Sequence, residues 1–289
     1  MKHMVTLPDG TKVPGIGQGT WFLGERKSSF EQEKQALTAG VGAGMTLLDT
    51  AEMYGSGKAE DLIGRTITEL SAAGVRREEL FIVSKVYPHN AGRKNIFKSC
   101  MASMKRMGVD YLDLYLLHWR GSIPLSETVA CMEQLKKEGK IRRWGVSNFD
   151  TDDMEELWSV PNGKNCAVNQ VLYHVASRGI EYDLLPWMRE HNMPLMAYCP
   201  LAQGGDLKKG LYENPVLKQI AKNHQATVSQ VLLAFVLRGG DVIAIPRTGK
   251  AEHALENAAA DGVMLTVEEL AMIEKEFPAP KRKVWLEMV

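Results

Sequence analysis

A closed α/β barrel, the (β/α)8 or TIM barrel, is the fold this sequence predicts. Three observations point to it. Short apolar runs recur eight times, an amphipathic helical stretch separates nearly all of them, and 289 residues suit a closed ring better than an open doubly wound sheet. With 45% hydrophobic and 24% charged residues the chain can bury a large core, as a soluble globular protein does. Basic and acidic residues balance at 35 each without a basic run, which argues against a nucleic-acid or anionic-membrane surface. Residues 1–8 lack the apolar core of a signal peptide, and the longest apolar stretch, 231–237, is too short to span a bilayer. Cys100, Cys131, Cys166 and Cys199 have no CxxC spacing, so they read as reduced thiols of a cytoplasmic protein and not as a disulfide frame or metal site.

The elements follow in order. Val5-Thr6-Leu7 and Lys12-Val13-Pro14 flank Pro8-Asp9-Gly10-Thr11, a strong turn signal, and predict an N-terminal β-hairpin. Gly15-Ile16-Gly17 reads as the first barrel strand, with a helix over 32–41 after it. The apolar run Met45-Thr46-Leu47-Leu48 predicts a buried strand at 46–49; Gly55, Ser56 and Gly57 then lead into a helix at 59–70. The nearly all-apolar Phe81-Ile82-Val83-Ser84 marks strand 80–85, before a helix at 95–107. Strand 112–118, helix 127–138, strand 142–147 and helix 152–158 continue the rhythm, as do strand 167–170, helix 183–190 and strand 195–198. Helices at 215–224 and 228–237 precede the last strand, 242–245, and a helix at 251–260 follows it. The helix at 267–274 opens with Thr266-x-x-Glu269, a capping-box signature. From Phe277-Pro278-Ala279-Pro280 onward helical periodicity is lost, which predicts a short C-terminal tail over the barrel. No Pro/Ser-rich linker interrupts this order, so residues 1–289 read as a single domain.

In such a barrel the active site lies where the strands end. Polar residues stand there one after another: Asp49, Lys85, His118, Ser147-Asn148, Gln170, Tyr198 and the Pro246-Arg247-Thr248 segment. A lysine at the end of an apolar strand is rarely buried without a partner, and Asp49 on the neighbouring strand is its natural one. Tyr54 follows Asp49 by five residues on a Gly-rich loop. Together Asp49, Tyr54, Lys85 and His118 make a proton-delivery site. A free phenol has a pKa near 10, and an adjacent ammonium should lower it while the aspartate keeps the lysine charged. A histidine beside the phenol can orient a carbonyl oxygen or join the relay. No nucleophilic Ser or Cys with its base is apparent.

These segments resemble the aldo-keto reductase family over essentially the whole chain, and its bacterial methylglyoxal-reductase-type members in particular. The Asp-to-Tyr gap, Lys85 and Leu116-Leu117-His118-Trp119 match that family's catalytic tetrad. Gly145-Val146-Ser147-Asn148-Phe149, Asn169-Gln170, Ala197-Tyr198-Cys199-Pro200-Leu201 and Ile245-Pro246-Arg247-Thr248 match its cofactor segments. The resemblance implies NADP(H), or NAD(H), bound extended across the barrel mouth, and reversible reduction of small aldehydes and 2-oxoaldehydes. It implies that Tyr54 protonates the developing alkoxide, Lys85 and Asp49 stabilise its phenolate, and His118 positions the carbonyl. Ser147, Asn148 and Gln170 would bind the nicotinamide carboxamide and Tyr198 would stack on its ring. Leu201, Ala202 and Gln203 would follow the pyrophosphate; Arg247, Thr248, Glu256 and Asn257 would hold the adenosine end. Gly15-Ile16-Gly17-Gln18-Gly19 lacks the GxGxxG spacing of a Rossmann turn, and its glycines are expected to let the backbone pass close to the cofactor, with Thr20 and Trp21 at the edge.

Two positions depart from the family pattern: Cys199 stands where a serine is common, and His253 where an arginine often supports the 2'-phosphate. Arg247 can still make a charge-assisted contact, so NADPH is expected over NADH. Trp21, Tyr87 and Trp119 are expected to form an apolar substrate pocket, with rim packing as the alternative. His89, His174 and His224 read as surface or structural. A monomer is expected, with a small carbonyl substrate and no nucleic-acid or membrane partner. Two other functions fit the fold, a non-catalytic nicotinamide-sensing subunit and a Schiff-base aldolase using Lys85; the complete tetrad argues against the first and the adjacent Asp49 against the second.

Overall fold

The computed structural model describes residues 1–289, apart from the side chain of Asp206. A hairpin of β1 (Met4–Thr6) and β2 (Lys12–Pro14) precedes the barrel and pairs antiparallel, Val5 opposite Val13. Its turn is closed by the Gly10 amide donating to the Leu7 carbonyl at 2.8 Å, and Gly10 sits at φ 84, which glycine tolerates.

Eight parallel strands follow. β3 (Gln18–Gly19) leads to α1 (Phe30–Gly42), and β4 (Leu47–Asp49) to α2 (Lys58–Ala72). Next come β5 (Phe81–Val86), α3 (Ile96–Met107), β6 (Leu112–Leu117) and α4 (Leu125–Lys137). β7 (Ile141–Ser147), α5 (Thr151–Ser159), β8 (Asn169–Leu172) and α6 (Leu184–Glu190) continue the ring. After β9 (Leu195–Tyr198) three helices intervene, α7 (Gly205–Glu213), α8 (Pro215–Asn223) and α9 (Val228–Leu237). β10 (Val242–Ile245), α10 (Ala251–Ala259) and α11 (Val267–Glu276) complete the order. Each strand pairs in parallel with its sequence neighbour from β3 to β10, and bridges Ile16–Ala244 and Gly19–Arg247 join the first strand to the last. The predicted barrel is therefore the observed one.

Two apolar layers hold it. Leu47, Val83, Leu114, Leu116, Val168, Met196, Ile243 and Ile245 fill the interior, and Val5, Leu7 and Val13 of the hairpin pack into the same cluster. A larger cluster lies between strands and helices, with Trp144 and Tyr115 as its bulkiest buried members. Because side chains alternate along a strand, the position two beyond each inward apolar residue also faces inward. Asp49 follows Leu47, Lys85 follows Val83, and His118 follows Leu116. The polar strand ends are thus the top layer of the interior, stacked on its apolar filling.

Three differences from expectation have physical causes. The first strand lies at Gln18–Gly19 instead of 15–17, because the glycines serve the seam where the ring closes. A Cβ at Gly19 would stand 2.9 Å from the Ile245 carbonyl oxygen, one at Gly17 2.7 Å from the Leu47 side chain, and one at Gly15 would strike the His3 ring. Strand contact alone leaves no room for a side chain at these glycines, and Gly19 also lines the cleft. The helix Gly205–Glu213 has no matching sequence signal, because Gly204, Gly205 and Gly210 depress helix propensity. The strand β8 starts two residues later than expected yet still carries Gln170.

The capping box forms as expected: the Thr266 hydroxyl accepts from the Glu269 amide at 3.2 Å, and Glu269 accepts from the Thr266 amide at 2.9 Å. The tail beyond α11 has no regular structure. Arg178 holds it at its root through Glu274 at 2.7 Å and the Phe277 carbonyl, Leu286 packs on the core, and Val289 reaches the barrel mouth. Among the described residues no helix is long and apolar enough to cross a membrane.

Candidate active site

A cleft of about 950 Å³, counted to its open mouth, lies at the strand C-termini. Its floor is an ion pair. Lys85 is 0% exposed and its Nζ donates to Asp49 Oδ2 at 2.6 Å, to the Thr50 carbonyl at 2.9 Å and to the Tyr54 hydroxyl oxygen at 3.3 Å. An ammonium has three protons and no lone pair, so all its capacity is used. The phenol oxygen accepts from Lys85, and its own proton is left to point towards the cleft. Asp49 Oδ1 accepts from Gln170 Nε2 at 2.8 Å, so both carboxylate oxygens are engaged. The backbone around the acid is fixed as well: Thr20 Oγ1 donates to the Asp49 carbonyl at 2.9 Å.

Burial pushes the Asp49 carboxyl up and the Lys85 ammonium down, and each opposes the other's shift through its charge and hydrogen bond. The Tyr54 phenol is raised well above its ordinary value, first by burial and then by the charge of Asp49. This corrects the expectation that Lys85 lowers it. The phenolate would lose its hydration here, and the ammonium's charge is already answered at 2.6 Å by Asp49. His118 is pushed down to about 3 by burial and by Lys85, so it is a neutral imidazole. Its Nδ1 is buried with no partner among the described residues, which leaves Nε2 as the ring atom able to meet a carbonyl oxygen. The His118 ring stands edge-on to Tyr54 at 5.7 Å.

Ser147, Asn148, Gln170 and Tyr198 line the same cleft. Ser147 Oγ donates to the Gln170 carbonyl at 2.8 Å, Asn148 Nδ2 to the His118 carbonyl at 3.2 Å, and the Tyr198 hydroxyl to Asn148 Oδ1 at 2.8 Å. Gly19, Thr20, Trp21, Cys199, Leu201, Ala202, Gln203 and Arg247 also line it. Thr248, His253, Glu256 and Asn257 do not. Glu256 accepts from the Thr227 hydroxyl at 2.6 Å at the start of α9, and His253 is exposed on α10. Trp21 lies 6.5 Å from Tyr54, ring to ring, whereas Tyr87 and Trp119 meet at 6.0 Å beside His118, outside the cleft lining.

Several residues were not foreseen. Phe22, Met53, Lys208 and Val289 line the cleft, and a sequence signal for the helix Gly205–Glu213 would have drawn in Lys208. Glu52, inside the Asp49–Tyr54 segment, accepts from the Tyr87 amide at 2.7 Å and Asn90 Nδ2 at 3.1 Å, tying the next loop to the acid loop. Four cleft residues hold left-handed backbone, Phe22 at φ 64, Asn148 at 58, Cys199 at 48 and Ala202 at 62, and such strain gathers at functional sites. Cys199 is a thiol pushed up to about 11 by burial, and hence protonated.

Comparison with known proteins gives a consistent result. Residues 15–276 match the sequence profile of the Aldo/keto reductase family. Methylglyoxal reductase YeaE of Escherichia coli (strain K12) is 52% identical over 288 residues, covering 100% of this chain and 99% of that protein. Glyoxal reductase of Bacillus subtilis (strain 168) is 36% identical over 274 residues, 95% of this chain and 92% of the relative. The crystal structure of an aldo/keto reductase from Klebsiella pneumoniae, in complex with NADP and acetate, superposes with a TM-score of 0.95 at 50% identity, covering 100% of both chains.

Proposed function

This chain belongs to the aldo/keto reductase family, and on that premise we propose that it reduces small aldehydes, 2-oxoaldehydes of the methylglyoxal type among them, to alcohols with NADPH, using Asp49, Tyr54, Lys85 and His118. The observation that carries this reading is the Lys85 ammonium, held by Asp49 and Thr50 and spending its third proton on Tyr54. It fixes a neutral phenol with its proton towards the cleft.

The residues present fit the cofactor. Amide side chains of Asn148 and Gln170 offer partners for a carboxamide, the Tyr198 ring offers a stacking face, and Lys208 and Arg247 bring two cations to the cleft for phosphates. Leu201, Ala202 and Gln203 would run beside the pyrophosphate. Arg247 and Thr248 would hold the adenosine end, Glu256 and Asn257 only after turning towards it. When bound, NADPH supplies the hydride.

The protein's own part is proton delivery. His118 Nε2 donates to the carbonyl oxygen and sets it beside Tyr54. Tyr54 gives up its proton as the oxygen gains charge, and the phenolate left behind meets an ammonium already 3.3 Å away. Trp21, Phe22 and Met53 line the cleft beside the acid. A Schiff-base route through Lys85 is disfavoured: burial lowers its basicity, yet the amine is sealed beneath Tyr54 with every N–H engaged.

Oxidation of NADPH, followed by its absorbance with methylglyoxal, tests the reading. Wild type should turn over and Tyr54→Phe should not; an inert wild type with every aldehyde offered would favour a sensing role instead. We extend the proposal to a cytoplasmic monomer that binds no nucleic acid, supported by balanced charge and four free thiols, three of them buried. Sedimentation velocity would test the monomer.

A further inference from the structure

Gln170 and Asn148 are expected to recognise a nicotinamide carboxamide, yet each already spends an amide group on the acid site. Gln170 Nε2 donates to Asp49 Oδ1 at 2.8 Å, between side chains 1% and 2% exposed. A carboxylate in an ion pair only accepts, so the atom facing it must be the NH2 and the amide cannot be flipped. Asn148 is fixed in the same way, its Nδ2 set against the His118 carbonyl at 3.2 Å. A side chain serving the cofactor alone would have no reason to be locked from beneath by the floor.

Asp49 depends on this lock. One of its oxygens faces Lys85 and the other faces Gln170, on opposite sides of the barrel interior. Without the amide, only Lys85 holds the carboxylate, which can then swing about its Cβ–Cγ bond. Lys85 would follow it, and Tyr54 would lose the donor that aims its proton. The Gln170 backbone is itself held, its carbonyl accepting from Ser147 Oγ at 2.8 Å and from the Asn148 amide at 2.9 Å.

We propose that Gln170 is a positioning residue for proton delivery: it anchors the second oxygen of Asp49 and thereby holds Lys85 and Tyr54 in the donating pose. This rests on the reductase reading above and assigns Gln170 a task beyond carboxamide contact.

Gln170→Glu tests it with little change of shape. Protonated, the introduced carboxyl can still donate to Asp49; ionised, it places a second carboxylate against the first. Two carboxylates so close share one proton, whose loss is displaced to higher pH. Either form keeps an oxygen for a carboxamide N–H. The expected result is kcat near wild type in acid that falls at least tenfold as pH rises and the shared proton leaves, with an NADPH Kd from fluorescence titration within about threefold of wild type throughout. The melting temperature should fall over the same pH interval, since the folded state would hold a proton the unfolded chain has released, and this readout needs no turnover.

Gln170→Met covers the case of a misfolded glutamate variant; it should lose about ten- to a hundredfold in kcat at saturating NADPH. A weakened NADPH Kd in both variants, with kcat at saturation and its pH profile unchanged, would overturn the proposal and leave Gln170 a carboxamide contact only. Failure of the functional reading would look different, as wild type itself would oxidise no NADPH, while the melting curves would still read the Asp49 coupling.

Discussion

Removing one partner of the Asp49–Lys85 pair should cost more than its share of removing both. Asp49→Asn leaves an ammonium, 0% exposed, facing an amide; Lys85→Met leaves a carboxylate with Gln170 alone. Each single change strands a charge that water cannot reach, and breaking such a pair costs about 3–5 kcal/mol. Simple addition would place the double variant about 6–10 kcal/mol below wild type, a large part of the about 5–15 kcal/mol that holds a typical domain together. Yet the double variant strands no charge. It loses a partner for the Thr50 carbonyl and leaves the introduced asparagine NH2 facing methionine, at about 1–3 kcal/mol each, while the asparagine oxygen still accepts from Gln170. Urea unfolding at pH 7, followed by circular dichroism, should therefore give a coupling of about 4 kcal/mol across the cycle. The pH dependence of the single variants sharpens the test. In Lys85→Met the buried Asp49 carboxyl titrates above its unfolded value, so stability rises as pH falls towards 4. In Asp49→Asn the buried ammonium titrates below its unfolded value, so stability rises with pH. Additivity within about 0.5 kcal/mol, or the same pH slope in both, would refute the buried pair.

The remaining predictions concern the same cleft and its tail. Tyr54→Phe should cut kcat by about 10²- to 10⁴-fold while NADPH affinity, read by fluorescence quenching, stays within about twofold, because packing against Trp21 and His118 is kept. Since His118 is neutral down to about pH 3, its titration should leave no limb near pH 6.5 in the kcat profile, and such a limb that vanished in His118→Asn would contradict the neutral ring. The same depressed value makes His118 an acid-sensitive support. Its stabilisation is complete above pH 6.5 and is lost as pH falls towards 3, by up to about 5 kcal/mol, and His118→Asn should flatten that part of the stability–pH curve. Arg178→Met should lower stability by about 3 kcal/mol in urea melts, since Arg178, 7% exposed, joins Glu181 and Glu274 to the Phe277 carbonyl at the root of the tail.

Much of the fold was legible because a parallel barrel writes itself as alternation. Eight apolar runs and their crossovers gave strands whose pairing order is simply sequence order. Where legibility failed, the cause was a residue doing something non-local. Gly15, Gly17 and Gly19 read as a strand, but their missing side chains also serve contacts with His3, Leu47 and Ile245 that no local pattern displays. The helix at Gly205–Glu213 contradicts its own propensity. At the site, the strand-end rule located Asp49, Lys85, His118 and Gln170 because each stands two residues beyond, or at the end of, an inward apolar run. Phe22, Lys208 and Val289 obey no such period. They come from loops, a late helix and the tail, and only the folded arrangement brings them to the cleft.

Lys85 is where reading charges differs most from reading atoms. From the sequence, an ammonium beside a phenol should stabilise phenolate and make Tyr54 a stronger acid. In the structure that charge faces Asp49 at 2.6 Å, and the nearly dry floor penalises phenolate more than the remaining field favours it. Lys85 supplies direction instead. Having only donors, it makes the Tyr54 oxygen an acceptor, and the phenol proton can then point only towards the substrate. That outcome depends on the Thr50 carbonyl, a backbone group no motif displays, taking a second N–H so that none is left to wander. Tyr54 therefore stays a neutral acid through the neutral pH range. It ionises when a developing alkoxide takes its proton, at the moment when an ammonium 3.3 Å away becomes most valuable.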